Sequence, residues 1–343
     1  MGQTKKVTLS DIAGHLGISV VTVSKALSDK EGVGDELRRQ IKSLAQEMGY
    51  TRKHQPHRPQ AGKITGNIGI LIPSRFFSQN YSFYWYLFNF VSTELLNRGY
   101  YSIMELLSDK DEDDCTAPRM IQDKKVDGLI ILGQTSDEYL RAVQSKYENF
   151  ILLDFYTNKL QLDCVSNDDY YCSYMLTSYV ISRGHRKIRF VGNFDATTSI
   201  RDRYMGFYKA MLENGFDAPP STIINDRDER GAKIELSLPF DDMPTAFVCN
   251  CDETAAILCE KLIEHGYKIP DDISVTGFDD YLPSGKESVP LTTVHIRPED
   301  TARAAADLII SKITRQPYMS GRHLVGGKIV LRQSVTSPRQ QSR

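Results

Sequence analysis

The turn Leu16-Gly17-Ile18-Ser19, set between two short amphipathic runs near the N-terminal end, most constrains what this 343-residue chain can fold into. Glycine reaches the left-handed geometry of a sharp helix–helix corner, Ile18 plugs the angle, and Ser19 can cap a following helix. The first helix is predicted to start near Thr8, with Asp11 three positions on and Ile12 and Leu16 on one apolar face. The second, Val20–Leu27, turns Val23 and Leu27 inward and leaves Val20, Val21, Thr22, Ser24 and Lys25 outward. A third, roughly Asp35–Met48, repeats Leu37, Ile41, Leu44 and Met48 at helical spacing, and Gly49 ends it. Three helices around one tight corner describe a helix-turn-helix, a device that lays its second helix in the major groove of DNA. Thr8 and Ser19, at the helix starts, join the five outward residues as candidate DNA contacts.

Charge is divided to match. Residues 1–63 carry eleven Lys or Arg against six Asp or Glu, whereas 64–343 carry thirty-one against thirty-eight, so the net charge of −2 hides a basic head on an acidic body. Attraction to phosphate belongs to the head. No apolar run approaches the roughly 18 residues of a membrane span, and Met1-Gly2-Gln3-Thr4-Lys5-Lys6 is no export signal, which predicts a cytoplasmic protein without a membrane partner. Six cysteines, at 115, 164, 172, 249, 251 and 259, are expected to be reduced and mostly buried. Neither Cys249-x-Cys251 nor His54-x-x-His57 completes a zinc set, so no metal or other cofactor is expected.

After residue 66 the chain alternates apolar runs with helical stretches. Strands are predicted at 67–72, 101–106, 128–132, 150–154, 187–191, 245–249 and 273–278. Helices are predicted near 83–97, 115–124, 136–146, 169–183, 203–214, 253–265 and 299–314. Continuous apolar strands alternating with helices mean parallel sheets covered on both faces, and two such units in series make an α/β body of two lobes with a cleft between them. The division expected is a helix-turn-helix head at 1–50, a linker at 51–66 and a core at 67–343. One lobe of that core takes about 67–165 plus 297–325, the other about 166–296 plus 326–343.

In open parallel sheets a ligand sits beyond the carboxyl ends of the strands. Asp154, Asn250, Asp252 and Asp279 follow predicted strands, and Arg203 opens a predicted helix; together they form a set able to grip hydroxyls. For each Asp, capping of the next helix is the structural alternative. Nine aromatics crowd residues 76–90, too many for one ligand, so most are expected in a core or subunit interface while Phe76, Phe77 or Tyr84 lines the pocket. His185 is expected to serve a helix C-terminus. Catalysis is not indicated: there is no Gly-rich phosphate loop, no G-x-S-x-G elbow and no His at a useful spacing from Ser or Cys.

The residues resemble the lactose-repressor (LacI/GalR) family of bacterial transcription regulators. The resemblance rests on six segments in order: VTLSDIAGHLGISVVTVSKAL at 7–27, IGILIP at 68–73, VDGLIIL at 126–132, RGHRKIRFVGN at 183–193, RDRYMGF at 201–207 and ISVTGFDDYLPSGKESVPLTTVHI at 273–296. It implies a DNA-binding head, a hinge and a core like periplasmic sugar-binding proteins, acting as a homodimer on a palindromic operator under a small-molecule effector. By the resemblance, Val20, Val21 and Lys25 read bases, Thr22 and Ser24 touch the backbone, Asp154, Arg203 and Asp279 contact the effector, and Asp252 is the Asp of an Asn-Asp pair. A sugar or sugar derivative is the expected effector, with a nucleobase or other corepressor as the alternative; a solute receptor without a DNA role and an enzyme are the competing classes. The chain departs from the pattern in three places. Cys251 stands where the Asn is usual, with Asn250 displaced by one. Val20 and Val21 suit thymine methyl groups, leaving Lys25 as the principal polar reader. The linker TRKHQPHRPQAGK has no hinge leucine, and Pro56 and Pro59 oppose a helix, so Arg52, Lys53 and Arg58 are expected to act as a basic arm on phosphates or in the minor groove.

Overall fold

The computed structural model describes residues 7–27, 32–48, 50, 64–77, 82–282 and 288–339. The chain forms two compact units, Met1–His57 and Arg58–Arg343.

In the first unit, α1 (Leu9–Leu16), α2 (Val20–Leu27) and α3 (Asp35–Glu47) enclose a core of Ile12, Ala13, Val23, Ala26, Val33, Ile41 and Ala45. The capping box predicted at Thr8 and Asp11 forms, and Gly17 ends α1 in the left-handed region with φ 62°. Ser19 Oγ accepts a hydrogen bond from the Thr22 amide at 3.1 Å, starting α2. Leu27 is only half-buried, and Ala26 fills the inner position beside Val23. Gly49 lies outside the described residues.

The second unit opens with β1 (Asn67–Pro73), α4 (Phe83–Asn97), β2 (Tyr101–Leu107), α5 (Asp109–Asp113), α6 (Arg119–Gln122), β3 (Gly128–Leu132) and α7 (Asp137–Gln144). It continues through β4 (Phe150–Leu153), β5 (Cys164–Asn167), α8 (Asp169–Ser182), β6 (Ile188–Val191), α9 (Thr198–Glu213), β7 (Ala246–Cys249) and α10 (Asp252–Glu264). Last come β8 (Ser274–Thr276), β9 (Thr293–His295), α11 (Pro298–Ile313), β10 (Arg322–Val325) and β11 (Lys328–Val330). Two sheets result. One is six-stranded, ordered β10-β5-β4-β3-β1-β2 and parallel throughout, and the other is three-stranded, β6-β7-β8, also parallel. Both are covered on two faces, as continuous apolar strands require. Leu87, Val91 and Leu95 of α4 and Ala302, Ala305 and Ile309 of α11 pack one face of the larger sheet; Met120, Tyr139, Leu140 and Val143 pack the other. In the smaller sheet α10 takes one face and α9 the other.

The chain passes between the lobes three times: from β5 to α8, from β9 to α11 and from β10 to β11, with β9 and β11 paired antiparallel. Of the predicted helices, 115–124 shrinks to α6 because Pro118 precedes it and Cys115 sits at positive φ. The helix predicted from 203 starts five residues earlier, capped by Thr197, so Arg203 does not open it but lies in its second turn. His185 does not serve a helix end: it is buried past the turn, bonded to Thr245 Oγ1 at 2.9 Å and the Thr336 carbonyl at 2.8 Å.

Helices α8 and α9 are in close contact at Gly206, where a Cβ would collide with the Tyr170 carbonyl oxygen and come within 2.8 Å of the Tyr174 amide nitrogen. Both are backbone atoms that cannot swing aside. Gly206→Ala should therefore destabilise the protein by about 1–3 kcal/mol despite its better helix propensity, as read from urea unfolding; unchanged stability would show that the helices slide apart freely.

Candidate functional site

The solvent face of α2 is the first candidate surface. Val20 and Val21 are 43% and 64% exposed, and Ser24 and Lys25 are also exposed, while Val23 and Ala26 hold the helix to its core. Thr22 is half-buried and its hydroxyl lies 2.8 Å from that of Ser19. Thr8 spends its hydroxyl on Asp11, at 2.7 Å. Thr8, Ser19 and Thr22 therefore shape the helix ends, and Val20, Val21, Ser24 and Lys25 form the outward face. Arg52, Lys53 and Arg58 lie outside the described residues.

A second candidate is a cleft of about 380 Å³ between the two lobes, lined by Phe76, Tyr84 and Asp154 from one side and Arg203, Arg227, Asn250, Cys251 and Asp279 from the other. Its organising group is Arg203. The guanidinium is buried; Nε donates to Asp169 Oδ1 at 2.7 Å, Nη1 to the Asn250 carbonyl at 2.5 Å, and Nη2 lies 3.0 Å from Asp279 Oδ1. The last contact is an ion pair between two buried groups; burial raises the Asp279 pKa, and Arg203 opposes that rise. The plane of the guanidinium covers the Phe278 ring at 3.9 Å.

Burial alone would discourage the charge on Arg203, but Asp169, Asp279 and Asp154 outweigh it and its pKa is raised. The carboxyls bear the consequence. Asp154, at the end of β4 with φ 68°, is pushed up to about 8, first by burial and then by the negative charges of Asp169 and Asp279, against the pull of Arg203. Asp169 is raised to about 6, mainly by burial, with Arg203 opposing. At neutral pH Asp154 is mostly protonated, and a neutral carboxyl both donates and accepts. Asn167 Nδ2 donates to Asp154 Oδ1 at 3.3 Å, and burial followed by the charge of Asp154 drives the Tyr84 phenol pKa well up.

Two expected lining residues are not brought to the cleft. Asp252 turns away: its carboxylate accepts from the Tyr281 amide at 2.8 Å and the Thr293 hydroxyl at 2.6 Å, so it fastens the loop after β8. The reason is Gly277, which leaves no side chain where the Asp252 carboxylate approaches. Nor does Asp252 cap α10, since the Cys251 sulfur takes that place, accepting from the Thr254 amide at 3.5 Å. Phe77 packs edge-on against Trp85, 5.8 Å between centroids, in the first lobe's core, whereas the preceding turn sends Phe76 to Tyr84 at 5.3 Å.

Sequence reasoning missed Asp169, Asp226 and Arg227. Asp226 is a buried hub that accepts from Asn250 Nδ2 at 2.7 Å, Thr254 Oγ1 at 2.6 Å and Arg227 Nη2 at 2.7 Å; these donors hold its pKa down against burial. The signal was Ile223-Ile224 followed by Asn-Asp-Arg, an apolar pair that bridges Val191 and ends at the cleft as a strand would. Among the described residues no group of His, Cys, Asp and Glu could hold a metal ion, and no helix is long and apolar enough to cross a membrane.

Known proteins align over the whole of this arrangement. Residues 8–53 match the family of bacterial regulatory proteins named for lacI, and residues 177–335 match a periplasmic binding protein-like domain. The chain is similar to the HTH-type transcriptional repressor PurR of Aliivibrio salmonicida (strain LFI1238), 25% identical over 334 residues that span 96% of this chain and 98% of that protein. PurR of Vibrio atlanticus (strain LGP32) is 26% identical over 337 residues, with the same coverage. In fold it is similar to the transcriptional regulator CelR in complex with cellobiose, with a TM-score of 0.68 and 19% identity over 96% of this chain and all of that one. It is also similar to the lac repressor dimer bound to operator and an anti-inducer, with a TM-score of 0.65 and 20% identity over 97% and 100%.

The raised pKa of Asp154 gives a stability signature. A carboxyl near 8 when folded and about 3.9 when unfolded binds more protons in the folded state across that interval. Its contribution to stability is therefore full below about pH 4 and is lost as pH rises through 8. Asp154→Asn removes this dependence, so its melting temperature should fall less between pH 5 and pH 8 than that of the parent protein. Parallel pH profiles would mean that Asp154 stays ionised.

Proposed function

We propose that this chain, which belongs to the LacI family of bacterial regulatory proteins, is a DNA-binding transcriptional repressor that works as a homodimer on a palindromic operator and is switched by a small molecule held between its lobes. The observation that carries the DNA reading is the exposed Val20-Val21-Ser24-Lys25 face behind the Gly17 corner. Two valines offer methyl contacts to thymine, and Lys25 is the polar base reader. In a homodimer each head takes one half-site, and relative movement of the lobes alters the spacing of the heads. The three inter-lobe crossings are the segments around which such movement occurs.

A sugar or sugar derivative is the effector the cleft suits best. The Asp279 and Asp154 carboxyls and the Asn250 amide line it with groups that bond hydroxyls, and the Phe76 and Tyr84 rings offer apolar faces to a pyranose. The cellobiose bound to CelR is in keeping with this class. A nucleobase is the second reading, favoured by the same two rings, tilted by 37° beside an arginine donor and a carboxylate acceptor that would pair with a flat lactam.

Two variants separate the surfaces. Lys25→Ala should weaken binding to the intergenic DNA flanking the protein's own gene by about 1–3 kcal/mol in an anisotropy titration, while leaving ligand-induced thermal shifts unchanged. Asp279→Asn, which keeps the side-chain shape, should do the reverse: operator binding is retained and no longer responds to the effector. A Lys25→Ala protein with full operator preference, or an Asp279→Asn protein that still responds, would sink the corresponding assignment.

A further inference from the structure

Both oxygens of one carboxylate on α9 are bonded from the opposite lobe. Asp202 Oδ1 accepts from the Tyr156 hydroxyl at 2.7 Å, and Asp202 Oδ2 accepts from Arg322 Nη2, also at 2.7 Å. Tyr156 follows β4 and Arg322 lies in β10, both in the lobe of the six-stranded sheet, whereas α9 belongs to the lobe of the three-stranded one. The two donors also hold each other, since the Arg322 guanidinium lies 3.9 Å from the centre of the Tyr156 ring. Arg322 Nε donates to Ser166 Oγ at 3.2 Å, which ties the group to β5 as well. The cluster thus stands beside two of the three crossings, β5 to α8 and β10 to β11.

The setting makes these bonds durable. The Asp202 and Arg322 side chains are 15% and 33% exposed, so water and salt screen their pair less than they screen Arg230 with Asp113, a second ion pair between the lobes whose members are both exposed. Hydrogen bonds assisted by charge are about twice as strong as neutral ones. Burial, followed by the bond to Asp202, pushes the Tyr156 pKa up to about 12, so the phenol remains a donor at neutral pH. Backbone bonds run alongside: the Tyr156 amide donates to Thr198 Oγ1 at 3.3 Å, and the Thr198 amide donates to Gln134 Oε1 at 3.1 Å, each from one lobe to the other. All of these bonds are made by the chain's own atoms.

We propose that Asp202 is a clamp that sets the angle between the lobes before any ligand enters, through its bonds to Tyr156 and Arg322. Rotating α9 away from the larger sheet would part a carboxylate from a hydroxyl and a guanidinium at once, a cost that only full hydration of all three repays. The resting arrangement is therefore one defined angle rather than two freely swinging lobes, and a ligand acts by shifting that set point. A cleft held near its binding geometry costs a ligand less ordering. The clamp is independent of which molecule the cleft holds.

Hydrogen exchange of the full chain, dialysed free of small molecules and read by mass spectrometry at the Tyr156 and Thr198 amides, tests the clamp. In the parent chain both amides should be protected relative to unstructured peptide. In Asp202→Ala both should exchange faster by about tenfold or more, while the amides of β3 and β7, in the interiors of the two lobes, keep their parent rates. Tyr156→Phe removes one donor but keeps the ring beside Arg322, and should produce a smaller increase at the same two sites. Unprotected Tyr156 and Thr198 amides in the parent chain, or unchanged exchange in a folded Asp202→Ala, overturn the clamp; if Asp202→Ala does not fold, unchanged exchange in Tyr156→Phe does so. Exchange that quickens in β3 and β7 as much as at the two amides shows that Asp202 only stabilises the fold, and overturns the clamp too.

Discussion

Much of the second lobe's architecture depends on one buried guanidinium. Arg203 sits in the second turn of α9, and its three nitrogens reach the first turn of α8, the carbonyl after β7 and the carboxylate after β8. These are three separate chain segments at one edge of the three-stranded sheet. A charge in that position is tolerable only if its nitrogens are occupied, so the segments are held in register by the cost of leaving it unpaired. The pair's net contribution to stability is a separate matter, since desolvation of both partners opposes the Coulomb gain.

Because Arg203 is so fully engaged, the proposed recognition of a ligand falls to its neighbours. Asp279 pairs with Arg203 in the cleft wall, and Asp154, on the opposite lobe, has its pKa raised by burial and by two nearby carboxylates. In the proposed reading, a ligand entering between the lobes changes both the solvation and the hydrogen bonding of that shared cluster, and couplings of about 1–3 kcal/mol are what allosteric control ordinarily requires. The three crossings at β5, β9 and β10 are the covalent path by which lobe position reaches the rest of the body.

Local interactions were the most legible. The Thr8 capping box and the Gly17 corner follow from contacts between residues three to five apart and appear where the pattern puts them, while of the expected inward face of α3 Ile41 is fully buried, Leu37, Leu44 and Met48 are half-buried, and Ala45 fills the second inner position. The seven apolar strands were equally readable, because burial on both faces demands continuous apolar side chains. Strands β5, β9, β10 and β11 were not. Cys164–Asn167 is as polar as a loop, yet all four residues are buried because β10 arrives from more than 150 residues away to cover its free edge. No window of sequence contains that partner.

The same division holds in the cleft. Sequence alone determined the chemical inventory and its rough location: carboxylates, an arginine and aromatics at the ends of parallel strands, where a ligand site forms. Only the tertiary structure decided which of them face one another. Asp252 and Asp279 follow equivalent strands and look interchangeable, but the space over Gly277 draws the first into a loop anchor and leaves the second beside Arg203 in the cleft wall. Phe76 and Phe77 are adjacent and chemically identical, and a single short turn sends one to the cleft and the other to the core. Residue type sets what a side chain can do; its direction depends on neighbours supplied by distant parts of the chain, through packing that local pattern does not encode.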